Sequence, residues 1–250
     1  MPASAPPVSN TPPEPAVFRS EQLSTDPDTK LRELHRLAAE CFADIDSYIV
    51  RLRRREQVNG KDKPEELLLC RFRKQPFSVY FKWIGPEGNG REVVYVQGRH
   101  DNKIHTRMVA GDIPLMPAGK RMALSPDSLL VRSASRHAIT EAGVGHLIDL
   151  FGQRLAAQAS FKCLGLVRRD EFKQPVEGAE EAVPPGAEPT LPRGGRRLWF
   201  FDPASHLPVL IVFNDDTGHE VEYNCYDLFQ YPVNLDDADF DPDQLWGAKR

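Results

Sequence analysis

The stretch that decides the fold is Glu65–Gly98, EELLLCRFRKQPFSVYFKWIGPEGNGREVVYVQG. Its β-branched and aromatic residues predict three strands, Glu66–Lys74, Phe77–Ile84 and Arg91–Gln97. Pro76 and the turn GPEGNG separate these strands with residues that favour turns. Consecutive strands this close in sequence pair antiparallel, so the stretch predicts an antiparallel sheet.

The middle strand has one wide apolar face. Side chains alternate along a strand, so every second residue lies on that face: Phe77, Val79, Phe81 and Trp83. A fixed helix over this face would make it part of a core, whereas a helix that moves would make it a ligand pocket. Composition alone leaves both alternatives open.

The rest of the chain predicts a single α+β domain. Apolar residues at helical spacing predict one helix from Asp26-Pro27 to Phe42 and a second over Thr140–Ala159. The apolar stripe of the second helix includes Leu147, Leu150 and Phe151. Six more strand patterns complete the sheet: Ser47–Val58, Lys103–Val109, Phe161–Arg169, Arg196–Phe201, Val209–Asn214 and Glu220–Leu228.

Two stretches contain too little apolar surface to fold by themselves. Residues 1–25 are rich in proline, and residues 170–195 combine proline with an excess of glutamate. Such compositions do not bury enough surface to offset the entropy of ordering. We therefore expect a disordered N-terminal segment, followed by one domain over residues 26–245 that contains a disordered loop at about 170–195.

Charge and motifs argue against several classes of function. The net charge is −4, with both signs interspersed, so the sequence predicts no nucleic-acid partner. No apolar run reaches the roughly 18 residues that a membrane span needs. The sequence has no GxSxG, phosphate-loop or dinucleotide-binding motif. These observations predict a protein that is not an enzyme and that uses no cofactor.

Candidate metal ligands also have simpler interpretations. His137 and His146 are nine positions apart and have no carboxylate at a zinc-binding spacing, so capping or hydrogen bonds to the sheet are expected. The acidic run Asp236–Asp243 lacks the glycine and terminal glutamate of a calcium loop and predicts a solvated turn. We therefore expect no metal site.

Cysteine usage and the N-terminus bear on the compartment. Cys41, Cys70, Cys163 and Cys225 are far apart in sequence and form no CxxC pair, which suggests small buried apolar residues and leaves their redox state open. A basic start and an apolar leader are absent. The chain is therefore either cytoplasmic or the product of leader removal. The Pro/Ser/Ala-rich start favours a periplasmic or exported protein.

Several short pieces, in order along the chain, carry a family resemblance. The sequence resembles the DUF1571 family of bacterial proteins, which is similar to the periplasmic lipoprotein carriers of the LolA/LolB group. The matching pieces are Tyr48 with Arg55-Glu56-Gln57-Val58, Pro76–Tyr80 with Trp83, Gly90–Val93 with Tyr95 and Gly98, Arg136–Gly143, Asp202 with Leu207-Pro208-Val209, and Tyr226 with Asn234–Phe240.

The resemblance implies a half-barrel, in which one curved antiparallel sheet holds two main helices on its concave side above a hydrophobic cavity. We expect ligand contacts from Phe77, Val79, Phe81, Trp83, Leu147, Leu150 and Phe151, and a lid or entrance at Gln75, Arg136 and His137. The lipoprotein carriers have an arginine before the proline of the second strand region that helps to hold the lid. This chain has Gln75 there.

The function expected from these observations is non-catalytic. The protein would bind or carry a lipid or an acylated protein in the bacterial envelope, as a monomer with at most transient membrane contact. The alternative is a module for protein interaction or envelope-signal sensing, with a core filled by its own side chains and no lipid ligand.

Overall fold

One antiparallel sheet organises the computed structural model, which describes residues 23–113, 117–189 and 191–247. Its twelve strands follow the order β7-β6-β5-β4-β3-β1-β12-β11-β10-β9-β8, and β2 pairs with β1 outside this path. The strands are β1 Ser47–Val58, β2 Lys61–Asp62, β3 Glu66–Arg73, β4 Ser78–Trp83, β5 Glu92–Val96, β6 Ile104–Arg107, β7 Arg121–Leu124, β8 Ser160–Val167, β9 Val176–Val183, β10 Gly195–Phe201, β11 Pro208–Asp215 and β12 Glu220–Gln230.

The sheet is open and curved. Eleven strands follow one another in its order, and a flat sheet of that size would measure about 48 Å across. One apolar cluster nevertheless joins Ile104 of β6 to Trp199 of β10, together with side chains of the helices. The α+β fold class and the curved sheet are therefore confirmed.

Of the four α-helices in the described residues, two cover the concave side, as expected. The helices are α1 Pro27–Ala43, α2 Leu129–Arg132, α3 Val144–Ala156 and α4 Pro242–Trp246, and single 3-10 turns occur at His100–Asn102, Ile139–Glu141 and Asp237–Phe240. Asp26 caps α1 by accepting a hydrogen bond from the Thr29 amide at 2.9 Å. This cap and Pro27 in the first turn explain where the helix begins.

The predicted start of the second helix, Thr140, is wrong, because α3 begins at Val144. Gly143 has φ = 99°, which lies in the left-handed region. A Cβ atom at this position would come within 2.8 Å of the Tyr48 hydroxyl and the Phe72 ring. That hydroxyl accepts a hydrogen bond from the Val144 amide at 3.0 Å, so a strand side chain caps the helix.

The prediction of a disordered loop at about 170–195 is wrong, because Val176–Val183 form strand β9. The glutamates that made the segment look solvated have buried partners. Glu177 lies 2.8 Å from the Lys30 ammonium, and Glu181 lies 2.8 Å from the guanidinium of Arg197. Composition alone does not reveal such pairing. Of the predicted N-terminal disordered segment, residues 1–22 lie outside the described residues.

The convex face of the sheet is covered near the C-terminus. Residues 232–247, here called the strap, place Phe240 against Tyr80 and Val94, whose side chains point away from the helices. Asp237 lies 2.9 Å from the Arg73 guanidinium, so the acidic run is ion-paired with the sheet and is more than a solvated turn. The strap turns this region of the convex face into a small core of its own, separate from the main one.

Candidate functional site: a cavity under a lid

A cavity of about 1050 Å³ lies between the sheet and the segment that precedes α3. Its apolar wall includes Leu52, Phe81, Trp83, Ile104, Leu147 and Leu150. These side chains come from β1, β4, β6 and α3. Ligand pockets commonly enclose roughly 300–1,000 Å³, so the volume is large enough for a molecule of lipid size.

Residues 125–143, here called the lid, cover one side of the cavity. They contain α2 and the 3-10 turn Ile139–Glu141 and no strand. Val131 and Ile139 line the cavity, whereas Leu129 is 88% exposed on the outside. The lid has few regular backbone hydrogen bonds, so its position depends largely on side-chain contacts.

The structure brings four of the seven predicted ligand-contact residues to the cavity, namely Phe81, Trp83, Leu147 and Leu150. The Trp83 indole also donates a hydrogen bond to Glu66 at 2.8 Å, which fixes the orientation of the ring. Phe81 and Trp83, the last two aromatic residues of the row on β4, therefore border the cavity.

The other three residues, Phe77, Val79 and Phe151, lie in the packed core. The Phe77 ring centroid is 5.5 Å from that of Phe72. The Phe151 ring centroid is 5.1 Å from that of Trp199 and 5.0 Å from that of Phe201. Strand periodicity assigns a residue to a face, but it does not tell which part of that face is covered.

Two of the three predicted lid residues join the lid to the sheet. Arg136 donates to the Gln57 carbonyl at 3.0 Å, and its Nε lies 3.3 Å from Glu222 Oε2. His137 Nε2 lies 2.9 Å from the carboxylate of Glu222, and Nδ1 lies 3.1 Å from Glu141. Gln75 lies in the turn between β3 and β4, away from the cavity lining.

A second carboxylate completes this connection. Glu56 on β1 accepts hydrogen bonds from the Ser135 hydroxyl at 3.2 Å and from the Arg136 amide at 3.4 Å. Glu56 and Glu222 are only 6% and 2% exposed. We call these two carboxylates, with Arg136 and His137, the latch, because they join the lid to two adjacent strands.

His137 and Glu222 form a charged pair at neutral pH. Burial by itself would lower the pKa of His137, but the carboxylates of Glu222 and Glu141 outweigh it and raise that pKa to about 10. Burial likewise opposes ionisation of Glu222, yet His137 and Arg136 hold its pKa below the usual range. Both His137 nitrogens therefore donate, one to each carboxylate. Removing either partner would leave a buried charge without compensation.

Sequence reasoning missed Glu56 and Glu222, although a signal was present. Residues of β12 at even positions, including Glu222 and Tyr226, share one face. Tyr226 is an apolar core residue and Glu222 is buried beside it. A charged residue on the strand face that carries core residues predicts a buried partner for its charge. The partner itself, His137, is 85 residues away in sequence, which hides the pair from a local pattern.

Further charged pairs line the cavity. Arg54 donates to Glu66 at 2.9 Å, and Arg91 donates to Asp112 at 3.0 Å. Cys70 lines the cavity as a buried free thiol, and burial raises its pKa well above the ordinary value. It is accordingly a poor nucleophile near neutral pH.

In the part of the chain that the structure describes, no group of three or more His, Cys, Asp or Glu side chains is placed to hold a metal ion. Among the described helices, none is long and apolar enough to cross a bilayer. The expected lack of metal, cofactor and catalysis stays a prediction.

The curved open sheet, with helices and a cavity on its concave side, defines an α+β protein with one antiparallel sheet and a binding-sized cavity. The chain belongs to the DUF1571 family, described as a protein of unknown function, whose model matches residues 45–245. The family resemblance seen in the sequence is therefore confirmed. Among curated proteins, none matches this chain.

The solved structures that match this chain are distant in sequence. The lipoprotein LppX of Mycobacterium tuberculosis is 15% identical with a TM-score of 0.49, over 85% of this chain and 100% of that one. A LolA superfamily protein of Nitrosomonas europaea is 13% identical with a TM-score of 0.33, over 85% and 98%. The MucA/MucB complex of Pseudomonas aeruginosa is 11% identical with a TM-score of 0.45, over 86% and 62%.

Proposed function

We propose that the protein is a non-catalytic binding or carrier protein, which takes up a lipid or the acyl chain of a lipid-modified partner in the cavity under the lid. The observation that carries this proposal is the cavity of about 1050 Å³ with aromatic and aliphatic side chains on its wall. Burial of an acyl chain there would contribute about 0.8 kcal/mol per CH₂ group.

The way the lid is attached supports uptake and release. Most of the sheet is held by ladders of backbone hydrogen bonds, whereas residues 125–143 reach it through the latch. A segment held by a few side-chain contacts opens at a lower free-energy cost than a strand or a packed helix. Opening of the lid would expose the apolar wall without disturbing α1.

The remaining parts of the proposal rest on the sequence. The proposal also includes a periplasmic or exported location, a monomeric state and transient membrane contact. The alternative, an interaction or signal-sensing module with a self-filled core, fits the region around Phe151 better than the region around Phe81. Binding of a protein segment without lipid is therefore an outcome that the test below must separate.

Trp83 provides the test. Titration of the purified protein with a monoacylglycerol should change its tryptophan fluorescence saturably, because Trp83 borders the cavity while Trp199 is fully buried in the core. Trp83→Phe should remove most of that change. Trp246→Phe is the matched control, because Trp246 lies in the strap on the convex face, and it should leave the change in place.

Native mass spectrometry of protein purified without detergent gives an independent reading of the same proposal. A co-purified lipid would support it. No lipid by mass spectrometry, together with no saturable response of the wild-type protein, would reject it in favour of the interaction module.

A further inference from the structure

The charges around the cavity are divided unevenly between sheet and lid. Glu66 is paired from the sheet side, by Arg54 and by Arg91 directly before β5. On the described strands, Glu56 and Glu222 have a single guanidinium beside them, Arg54, and further positive charge comes from the lid through Arg136 and His137. Around Glu56 and Glu222 the wall therefore carries an excess of negative charge, which the closed lid offsets.

The strand register places two of these negative charges next to each other. Glu56 of β1 lies directly opposite Glu222 of β12, and Leu52 lies opposite Tyr226. Like charges that face each other across an antiparallel pair are destabilising, and both carboxylates are buried. Cations beside the pair offset this repulsion: in the closed state the lid supplies Arg136 and His137 to Glu222, and Arg54 lies 3.6 Å from Glu56.

Opening the lid removes most of this compensation. Glu222 would keep the hydrogen bond from the Asn224 side-chain amide at 2.7 Å, and Glu56 would keep Arg54 at 3.6 Å. Arg54 is already bound to Glu66. A buried carboxylate without a cationic partner is costly, so a ligand that enters the open cavity is favoured if it brings a positive charge.

We propose that Glu56 and Glu222 make the cavity selective for amphiphiles whose polar head carries a positive charge, and that this head takes the place of Arg136 and His137. The inference rests on the proposed function, because it assigns the head-group chemistry of the same cavity. The head would lie at the Glu56–Glu222 pair. The chain would run towards the Leu52–Tyr226 pair, four residues or about 13 Å away along the strands.

The test compares three single-chain compounds of equal length, dodecylammonium, dodecanol and dodecanoate, below their micelle concentrations at pH 7.5. Dissociation constants come from Trp83 fluorescence and from calorimetry. In the wild-type protein, dodecylammonium should bind about tenfold more tightly than dodecanoate, or better, as expected for a hydrogen bond between charged groups. Dodecanol should lie between them.

Variants connect this preference to the residues. Glu222→Gln should reduce the ratio of amine to alcohol affinity severalfold, and Glu56→Gln should act in the same way if the first variant does not fold. Arg136→Gln with His137→Gln should raise the ratio, because the lid no longer competes for the carboxylates. Arg132→Gln, an exposed arginine on the same lid, is the matched control and should leave the ratio unchanged.

The outcomes separate the two proposals. If none of the three compounds binds, the proposed function and this inference both fail. If they bind but dodecanoate equals or exceeds dodecylammonium, the cavity binds lipid without this selectivity. The inference also fails if the two carboxylate variants leave the ratio unchanged, since a purely structural latch predicts that result.

Discussion

The concave face of the sheet has a filled half and a hollow half. In the filled half, α1 and α3 pack on β8–β11, and Phe151 of α3 is fully buried among Trp199 and Phe201. In the hollow half, the cavity lies against β1, β3–β7 and β12, and the lid covers it through contacts with β1 and β12. Helix α3 belongs to both, because Leu147 and Leu150 on another side of it line the cavity.

The difference between the halves comes from what covers each one. Two long amphipathic helices follow the filled half closely, and Gly152 allows His35 of α1 to approach the backbone of α3. The lid contains only one short α-helix, so it presents too few apolar side chains to fill the space beneath it. The same sheet thus becomes a core under helices and a pocket under a loop-like cover.

The largest expected change in the free energy of unfolding comes from truncating one phenylalanine to alanine, and the loss should differ between the two halves. Phe151→Ala should lower the free energy of unfolding by about 3–5 kcal/mol, because the ring leaves a void among fixed neighbours. Phe81→Ala should cost clearly less, because part of its ring already faces the cavity. Urea denaturation of both variants measures the contrast. Equal losses would show that the hollow half is packed like the filled one.

The helix contact of the filled half is expected to tolerate no added volume. A Cβ atom at Gly152 would lie 2.2 Å from His35 Nε2, so Gly152→Ala should destabilise the protein by about 1–3 kcal/mol through overpacking. The double variant Gly152→Ala with His35→Ala should recover part of this loss in the same denaturation assay. An absence of recovery would mean that another contact limits the approach of the helices.

The contribution of His137 to the free energy of unfolding should fall at alkaline pH. The pKa of His137 is raised to about 10 in the folded protein, above its unfolded value of about 6.5. Its contribution to stability is therefore complete below pH 6.5 and disappears as the pH rises through 10. The difference in unfolding free energy between the wild type and His137→Gln should be largest near pH 6 and approach zero above pH 10.

Hydrogen exchange gives a local reading of the same titration. Lid amides should lose protection between pH 7 and pH 10, after correction for intrinsic exchange, while α1 amides should not. Parallel loss in both segments would indicate global unfolding in place of lid opening.

The smallest effect is expected on the outside of the lid. Leu129 is 88% exposed, so Leu129→Ser should change the unfolding free energy by less than about 0.5 kcal/mol. Ile139→Ser, on the cavity side of the lid, serves as the comparison and should cost more. A large effect of Leu129→Ser would place this side chain in a contact that the closed structure lacks.

Local pattern predicted the sheet and the helices because strands and helices have fixed periods. The alternation in β3 to β5 and the helical spacing in α1 are visible within a few residues. Three of the described strands were missed. β2 has only two residues and β7 only four, and β9 contains glutamates whose cationic partners lie elsewhere in the chain. The apparent disorder of that segment was a property of its composition and not of its surroundings.

The sequence by itself determined nine of the twelve described strands, the apolar face of β4, the amphipathic helices and, through short matching pieces, the family. Only the tertiary structure decided that Phe77, Val79 and Phe151 are core while Phe81 and Trp83 border a cavity. It also decided that Arg136 and His137 meet Glu56 and Glu222. The physical reason is that the period of an element fixes which residues share a face. What covers that face, and which charges meet there, depends on chain segments that come together only when the sheet curves.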